Sequence, residues 1–389
     1  MKHNWEYKKL GEIGKIITGN TPNTKDAKNY ETNEICFVKP SDISGEGINY
    51  ISNSEFHISK YAYENSRQLP KGSILTTCIG NIGKVAILEI EATCNQQINA
   101  IIPNKDIDSK FLAYSIISQR YLLQSMANAP VVPILNKTQF SNFSISIPPL
   151  PTQQAIVSEL DTLSGIIAEC KETLKDYDAL EQSIFYDMFG DPVKNEKGWE
   201  VKKLEDICSN IVDCPHSTPT KSDVPTIYPC IRTSELRNGE IYWDSMQYVE
   251  EEEYKNRIVR LQPQKDDIVF GREGSIGGAV ILPEGYQFCL GQRTMLLRVD
   301  ESIIHSIFLH RVILSDWVKN QIMDKNVAST VAHVNVKDVK AFLIPIPPLP
   351  LQQDFATKIE AIEQMKAETR EALQEAETLF QARMDYWFN

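Results

Sequence analysis

Residues 148–190 read PPLPTQQAIVSELDTLSGIIAECKETLKDYDALEQSIFYDMFG, and residues 347–389 answer with PPLPLQQDFATKIEAIEQMKAETREALQEAETLFQARMDYWFN. The two stretches align without a gap at an offset of 199. Each opens like a helix. Pro151 and Pro350 suit the first turn, where a missing N–H costs nothing, and Gly190 with Pro192 stops the first copy. In that copy Ile156, Leu160, Leu163, Ile167, Cys170, Leu174, Tyr177, Ile184 and Met188 recur on steps of four and three, interrupted only by Glu181. Such a seam predicts coiled-coil packing. The second copy keeps the register with Phe355, Ile359, Ile362, Leu373, Ala376, Phe380 and Trp387, whereas Lys366, Thr369 and Arg383 break the stripe. Two amphipathic helices on separate domains would share this pattern. Matching lengths and matching ends favour the helices packing on each other.

The segments between the helices repeat as well. Trp5-Glu6-Tyr7-Lys8-Lys9-Leu10 matches Trp199-Glu200-Val201-Lys202-Lys203-Leu204 at an offset of 194, and each predicts a first strand running into a turn. Phe37 to Ile43 pairs with Cys230 to Leu236, and Asn81-Ile82-Gly83 pairs with Ser275-Ile276-Gly277. Gln96-Gln97 falls opposite Gln292-Arg293, Phe111-Leu112 opposite Phe308-Leu309, and Asn136 opposite Asn335. Short runs rich in Val, Ile and Thr, broken by Gly, Pro and Asn, predict a strand-rich core with one late helix per unit, near 108–127 and 302–323. The chain therefore reads as globular unit, long helix, globular unit, long helix.

At 389 residues and 42% hydrophobic content, two or more cores are expected. Met1 to Leu10 is polar and charged, with no apolar run suited to a signal peptide or membrane span, so a cytoplasmic location is expected. The eight cysteines form no CxxC pair and read as reduced, mostly buried thiols. The net charge is −12, but it is unevenly placed: +2 over residues 1–147, −7 over 148–191, −3 over 192–346 and −4 over 347–389. The helical stretches carry almost all of it. Neither globular part is the strongly basic module that grips a phosphate backbone unaided, so DNA affinity would need help from a partner.

The whole-chain pattern resembles the DNA specificity subunit of type I restriction-modification systems. Paired PPLPxQQ helix starts, paired W-x-x-K-K-L openings and the Ile-Gly repeats at Ile82-Gly83 and Ile276-Gly277 carry the resemblance. It implies an α+β fold: two strand-rich target recognition domains, residues 1–147 and 192–346, joined by two long helices in an antiparallel coiled coil. The helical regions would be residues 148–191 and 347–389. A run from Pro151 to Phe189 would span about 58 Å at 1.5 Å per residue, a ruler for two half-sites around an unread spacer.

The resemblance further implies a non-catalytic subunit that binds double-stranded DNA with a bipartite target, two methyltransferase subunits and restriction subunits. S-adenosylmethionine, ATP and magnesium would sit on those partners. Coiled-coil pairing and partner docking would use Ile156, Leu160, Leu163, Ile167, Leu174, Phe355, Ile359, Ile362, Leu373 and Phe380, with the acidic, partly apolar outer faces of helices 151–189 and 350–388 as the docking surfaces. Sequence is read from base edges, where Arg pairs with guanine and Asn or Gln with adenine. Candidates are turn residues that repeat in position and differ in identity: Asn20, Lys39, Asn81, Lys84 and Gln97 in the first unit, His216, Arg232, Arg272, Ser275 and Arg293 in the second. Each has a plainer reading. Gln97 and Arg293 would equally pair with backbone at a strand end, and Lys39 and Arg232 would equally touch phosphate, which positions without specifying.

Enzyme readings fare worse. Gly80-Asn81-Ile82-Gly83-Lys84 is too short for a phosphate-binding GxxxxGK[ST] loop and reads as a tight turn. No Asn-Pro-Pro or Asp-Pro-Pro motif of an amino-methyltransferase occurs. A nuclease built on Asp191 with Glu200 and Lys202, or on Asp244 with Glu253 and Lys255, rests on thin spacing. Glu250 to Glu253 reads as a solvated acidic edge. His305 and His310, five apart, do not stack as metal ligands on a helix face. A scaffold that bridges proteins and reads no DNA is the remaining alternative.

Overall fold

The computed structural model describes residues 5–45, 47–127, 132–274, 276–326 and 333–389, with side chains omitted at 324–326. Ser275 therefore lies outside the described residues. The chain forms two compact units. Unit one comprises residues 1–171 with 370–389, and unit two residues 172–369.

Unit one is built on a five-stranded sheet in the order Gly14–Thr18, Ile98–Pro103, Ile74–Thr77, Val85–Leu88, Ile48–Ile51. Alternation along its strands sends side chains to two different layers. Leu75, Ala86, Ile98 and Ala100 meet Cys36, Val38, Ala92 and Cys94 of a three-stranded sheet. Ile74, Val85, Ile87 and Ile101 instead meet Leu112, Ile116 and Phe140 of the late helices. A sheet covered on both faces needs apolar residues at consecutive positions, which explains the unbroken run Ile74-Leu75 and the pair Ala100-Ile101.

Unit two repeats the plan on a four-stranded sheet, Cys208–Asp213, Thr294–Val299, Ile268–Gly271, Ala279–Ile281. Val269, Val280 and Leu296 face Ile231 and Leu290 of its own three-stranded sheet. Ile268, Phe270, Met295 and Leu297 face Phe308 and Leu309. The late helix expected in each unit is broken in two: Ser109–Ser118 and Arg120–Ser125, then Ser306–Leu314 and Asp316–Asn326. The segment at Glu250 to Glu253 is the solvated acidic edge expected, with Glu250, Glu251 and Glu252 exposed. It enters a helix, Glu251–Arg257, in which Glu253 pairs at 2.7 Å with the buried Arg257.

The W-x-x-K-K-L openings are strands. Glu6–Lys9 pairs antiparallel with Ser144–Ile147, and Glu200–Lys203 with Leu343–Ile346. Each thereby clamps the last strand of its unit, immediately before a long helix. The PPLPxQQ motif also acquires a structural reason. Gln153 and Gln352 are buried; each side chain donates to the carbonyl of the first motif proline, Pro148 at 2.9 Å or Pro347 at 2.8 Å. Each also accepts from a backbone N–H at the start of its unit's late helix, Asp108 at 2.9 Å and His305 at 2.8 Å. The glutamine joins the two helix starts without leaving a buried amide unsatisfied.

The long helices run Leu150–Phe189 and Leu349–Phe388. Within unit one, residues 150–171 run antiparallel to 370–388, with Glu159 paired to Arg383 and Lys171 to Glu377 at 2.8 Å. Phe111, Ile156, Leu160 and Met384 share a core there, and Trp5 stacks on Trp387 with centroids 6.1 Å apart. Within unit two, residues 172–189 run antiparallel to 349–369, and Phe185 and Phe189 pack edge-on against Phe355 at 5.7 and 5.2 Å. The α+β architecture with antiparallel long helices is thus as expected from the sequence.

All ten docking-seam residues named above are at least half-buried, and Ile156, Leu160, Phe355, Ile359 and Ile362 are fully so. Two of the charges that interrupt the stripe meet across it. Glu181 and Lys366, the breaks in the two copies, face each other at 2.9 Å, both below 5% side-chain exposure. Asp178 lies 2.7 Å from the same ammonium, and Arg311 reaches Glu181 from the late helix. Burial pushes the Glu181 carboxyl above its ordinary range. Burial alone would lower Lys366, but hydrogen bonds to Asp178 and Glu181 outweigh it and hold the ammonium above its usual value.

Candidate nucleic-acid interface

The sheet registers gather the repeated turns at one end of each unit. In unit one Thr18 lies opposite Asn99, Thr77 opposite Ile98 and Thr76 opposite Val85. The loops at 19–21, 78–84 and 95–97 therefore leave the sheet side by side. In unit two Asp213 lies opposite Met295, Gly271 opposite Thr294 and Phe270 opposite Ala279, which brings together the loops that begin at Cys214 and Arg272 and the one that ends at Arg293.

The backbone frame of these loops is the same in both units. Cys78 N donates to Gln97 O at 2.8 Å and Arg272 N to Arg293 O at 2.9 Å. Leu135 N then donates to Cys78 O, and Val334 N to Arg272 O. Gly80 and Gly83 have φ of 72° and 85°, Gly274 and Gly277 of 72° and 77°, so the tight turn requires glycine at both places. A Cβ at Gly83 would also sit 2.7 Å from Arg120.

Side chains on that frame differ. In unit one they are mostly amides and hydroxyls. Asn20 Oδ1 accepts from Arg67 N at 3.2 Å, and Thr21 Oγ1 donates to Gln96 Oε1 at 2.7 Å. Gln97 Oε1 accepts from Asn95 Nδ2 at 2.9 Å, and Asn81 Oδ1 accepts from Arg120 Nη2 at 2.7 Å. Asn20, Asn81 and Gln97 thus share one loop end. Lys84 donates to Ile43 O at 2.8 Å, and Lys39 lies over the Phe56 ring, 2.9 Å from its centroid.

In unit two the same end is charged. Asp213 receives Arg272 Nη2 at 2.9 Å and has His216 Nε2 at 3.5 Å. Glu273 lies 3.0 Å from both Arg293 Nε and His333 Nδ1. Gln292 Nε2 donates to His216 O at 2.8 Å. Arg272 is buried, whereas the side chains of His216 and Arg293 are 73% and 61% exposed. Arg232 is forked onto the fully buried Glu235, with Nη2 at 2.6 Å from Oε1 and Nε at 3.2 Å from Oε2. Its backbone N–H caps the next turn through the same carboxylate, as Lys39 does through Asp42.

Two further residues belong to this geometry that the sequence reading passed over. Arg67 Nη1 donates to Thr18 O and Gly19 O, and Arg260 Nη1 donates to Asp213 O and Cys214 O. Their only sequence signal is the spaced pair Arg67-x-x-Pro70 and Arg260-x-x-Pro263. Among the described residues no group of three or more His, Cys, Asp or Glu is placed to hold a metal ion, and no helix is long and apolar enough to cross a membrane. His305 caps its helix by accepting from Ile307 N at 3.3 Å, and the buried His310 pairs with Ala279 O.

Comparison with known proteins places this arrangement. The chain matches the family model described as type I restriction modification DNA specificity domain over residues 2–176 and again over 196–378. It is 27% identical over 384 residues to the type I restriction enzyme MjaIX specificity subunit of Methanocaldococcus jannaschii, covering 92% of this chain and 86% of that one. The EcoR124I/EcoR124II specificity subunit of Escherichia coli is 29% identical over 176 residues, 42% of this chain and 43% of that one. In fold, the chain resembles the S subunit of a type I restriction-modification system from M. genitalium, with a TM-score of 0.62 at 13% identity over 99% of this chain and 96% of that one. A chain from a type I system studied for its complex assembly and conformational transition gives 0.57 at 18% identity, over 98% and 96%.

Proposed function

Because the chain belongs to the family of type I restriction-modification DNA specificity subunits, we propose that each unit reads one block of a bipartite DNA target while the long helices dock methyltransferase and restriction subunits. The supporting observation is the pair of loop ends: one backbone frame, repeated, carrying asparagine and glutamine in unit one and arginine and histidine in unit two. Amides suit adenine and guanidiniums suit guanine, so the two ends are chemically fitted to different base edges.

The chain contributes recognition and no catalysis of its own in this reading. Two methyltransferase subunits would bring S-adenosylmethionine; restriction subunits would bring ATP and magnesium. A clamp of partners would supply much of the phosphate contact that the net charge of −12 withholds. The complex would act in the cytoplasm, on genomic DNA.

Mapping methylated adenines in cells that express the chain with its partner methyltransferase, against the partner alone, tests this directly. A new bipartite motif is expected only with the chain present. A stable complex that adds no motif would count against recognition and favour a bridging scaffold.

Within unit two, the exposed Arg293 is the strongest candidate for a base contact. Its backbone already sits at φ 68°, so alanine adds no new strain. Arg293→Ala is expected to relax one position of one half-site, at a cost of about 1–3 kcal/mol in discrimination. Equal weakening on every sequence would reassign it to phosphate.

A further inference from the structure

Arg67 and Arg260 stand apart from the other polar side chains of the loop ends. Their surroundings have diverged: Ser66-Arg67-Gln68-Leu69-Pro70 against Val259-Arg260-Leu261-Gln262-Pro263. Their bonding has not. Each directs Nη1 at two successive carbonyls where the first strand of its sheet ends, Thr18 and Gly19 in one unit, Asp213 and Cys214 in the other. The two carbonyl pairs occupy equivalent places, since Thr18 and Asp213 are the last residues of equivalent strands.

Both arginines are exposed. Among the described residues neither guanidinium pairs with a carboxylate, and neither Nε nor Nη2 of either makes a hydrogen bond. Arg120 and Arg237 also lack a carboxylate partner, but neither is tethered by one amino group to two successive carbonyls. Arg232, Arg257, Arg272, Arg293 and Arg298 of unit two are each within 3.0 Å of an acid. A planar guanidinium tethered by one edge keeps its orientation and leaves its remaining donors on a fixed vector, which suits a phosphate oxygen. Residues that differ between the units suit reading different bases; a residue whose geometry is the same in both suits the part of DNA that does not vary.

We propose that Arg67 and Arg260 are matched phosphate contacts, each tying its recognition loop with one amino group and holding the DNA backbone with the other donors. The proposal rests on the reading of both units as DNA readers. It assigns them a positioning role and no part in specificity.

The test uses the full chain assembled with its methyltransferase partner, a duplex bearing the mapped motif, and a scrambled duplex. Binding is measured across a salt series for wild type, Arg67→Gln, Arg260→Gln and Arg67→Lys, with unfolding temperatures taken in parallel. Each glutamine variant is expected to weaken both duplexes by the same factor and to reduce the slope of log K against log salt by about 1, and lysine to preserve the slope. An unchanged slope with both glutamine variants folded would overturn the proposal and leave the arginines as loop tethers. Relaxed preference at a single base position would overturn it in favour of base reading. Failure of the underlying reading has a different signature: the wild-type complex would not distinguish the motif from the scrambled duplex.

Discussion

Lys366→Met is expected to destabilise unit two by about 3–5 kcal/mol, the usual cost of removing one partner from a buried ion pair. The ammonium is 3% exposed and lies 2.9 Å from Glu181 and 2.7 Å from Asp178. Asp178 can turn to water. Glu181, 4% exposed, cannot, and Arg311 becomes its remaining partner. Glu181→Met with Lys366→Met should lose less than the single change, because no charge is stranded on the seam and Arg311 retains Glu363 at 3.4 Å.

The pH dependence has a definite sign. Burial already raises the Glu181 carboxyl, and loss of the ammonium raises it further. Between its ordinary value and that raised one, the folded state holds a proton that the unfolded chain releases. Stability of Lys366→Met should therefore fall as pH rises through that window and recover below it. Lys366→Met combined with Glu181→Gln lacks the titrating group and should lack this slope. Urea unfolding across pH checks both statements. A single variant within about 1 kcal/mol of wild type, or identical pH profiles for the two, would show that the pair is not coupled as described.

Ile359→Pro is expected to abolish complex assembly. A proline inside a helix removes a hydrogen bond and clashes with the preceding turn, at about 3 kcal/mol or more. Ile359 is 3% exposed and packs in the cluster that holds Phe355, Phe185 and Phe189, so the loss of its side chain adds to that cost. Leu163→Pro, on a half-buried seam position of unit one, should act in the same direction. Co-purification with the partner methyltransferase is the readout, with Ile359→Val as the control that keeps the helix. Assembly of Ile359→Pro at normal yield would mean that the partners do not dock on an intact helix pair.

The duplicated plan was legible because its framework residues are fixed by geometry that tolerates few substitutes. Trp5 and Trp199, Gln153 and Gln352, and the paired turn glycines recur at near-constant offsets. Seam periodicity was equally legible, since the stepped positions are the buried ones. The meaning of the interruptions was not. Glu181 and Lys366 lie 185 residues apart, and only the antiparallel register shows that each break supplies the other's counter-ion. The late helices were read as single elements because their apolar pattern runs through the break at Gln119 and Ser315.

At the loop ends, sequence comparison favoured residues that change between the units. It therefore singled out Gln97 and Arg293 as candidates and passed over Arg67 and Arg260, whose shared bonding is visible only in the carbonyls they reach. The pairing of Arg232 with Glu235 and of Arg272 with Asp213 was hidden for a related reason: one partner of each pair is unremarkable in the chain.

The order in which the chain leaves the ribosome runs against its architecture. Unit two has all its residues once Thr369 is made, whereas unit one awaits residues 370–388, which bring Met384 against Phe111 and Trp387 against Trp5. At roughly 5–20 residues per second, the first-made unit waits on the order of ten to forty seconds for its closing helix. Phe111, Ile156 and Leu160 lack the cover of Phe380, Met384 and Trp387 through that interval. The nascent protein must carry an unsealed core at its front while its rear is finished, so premature termination near Thr369 would cripple the part synthesised first.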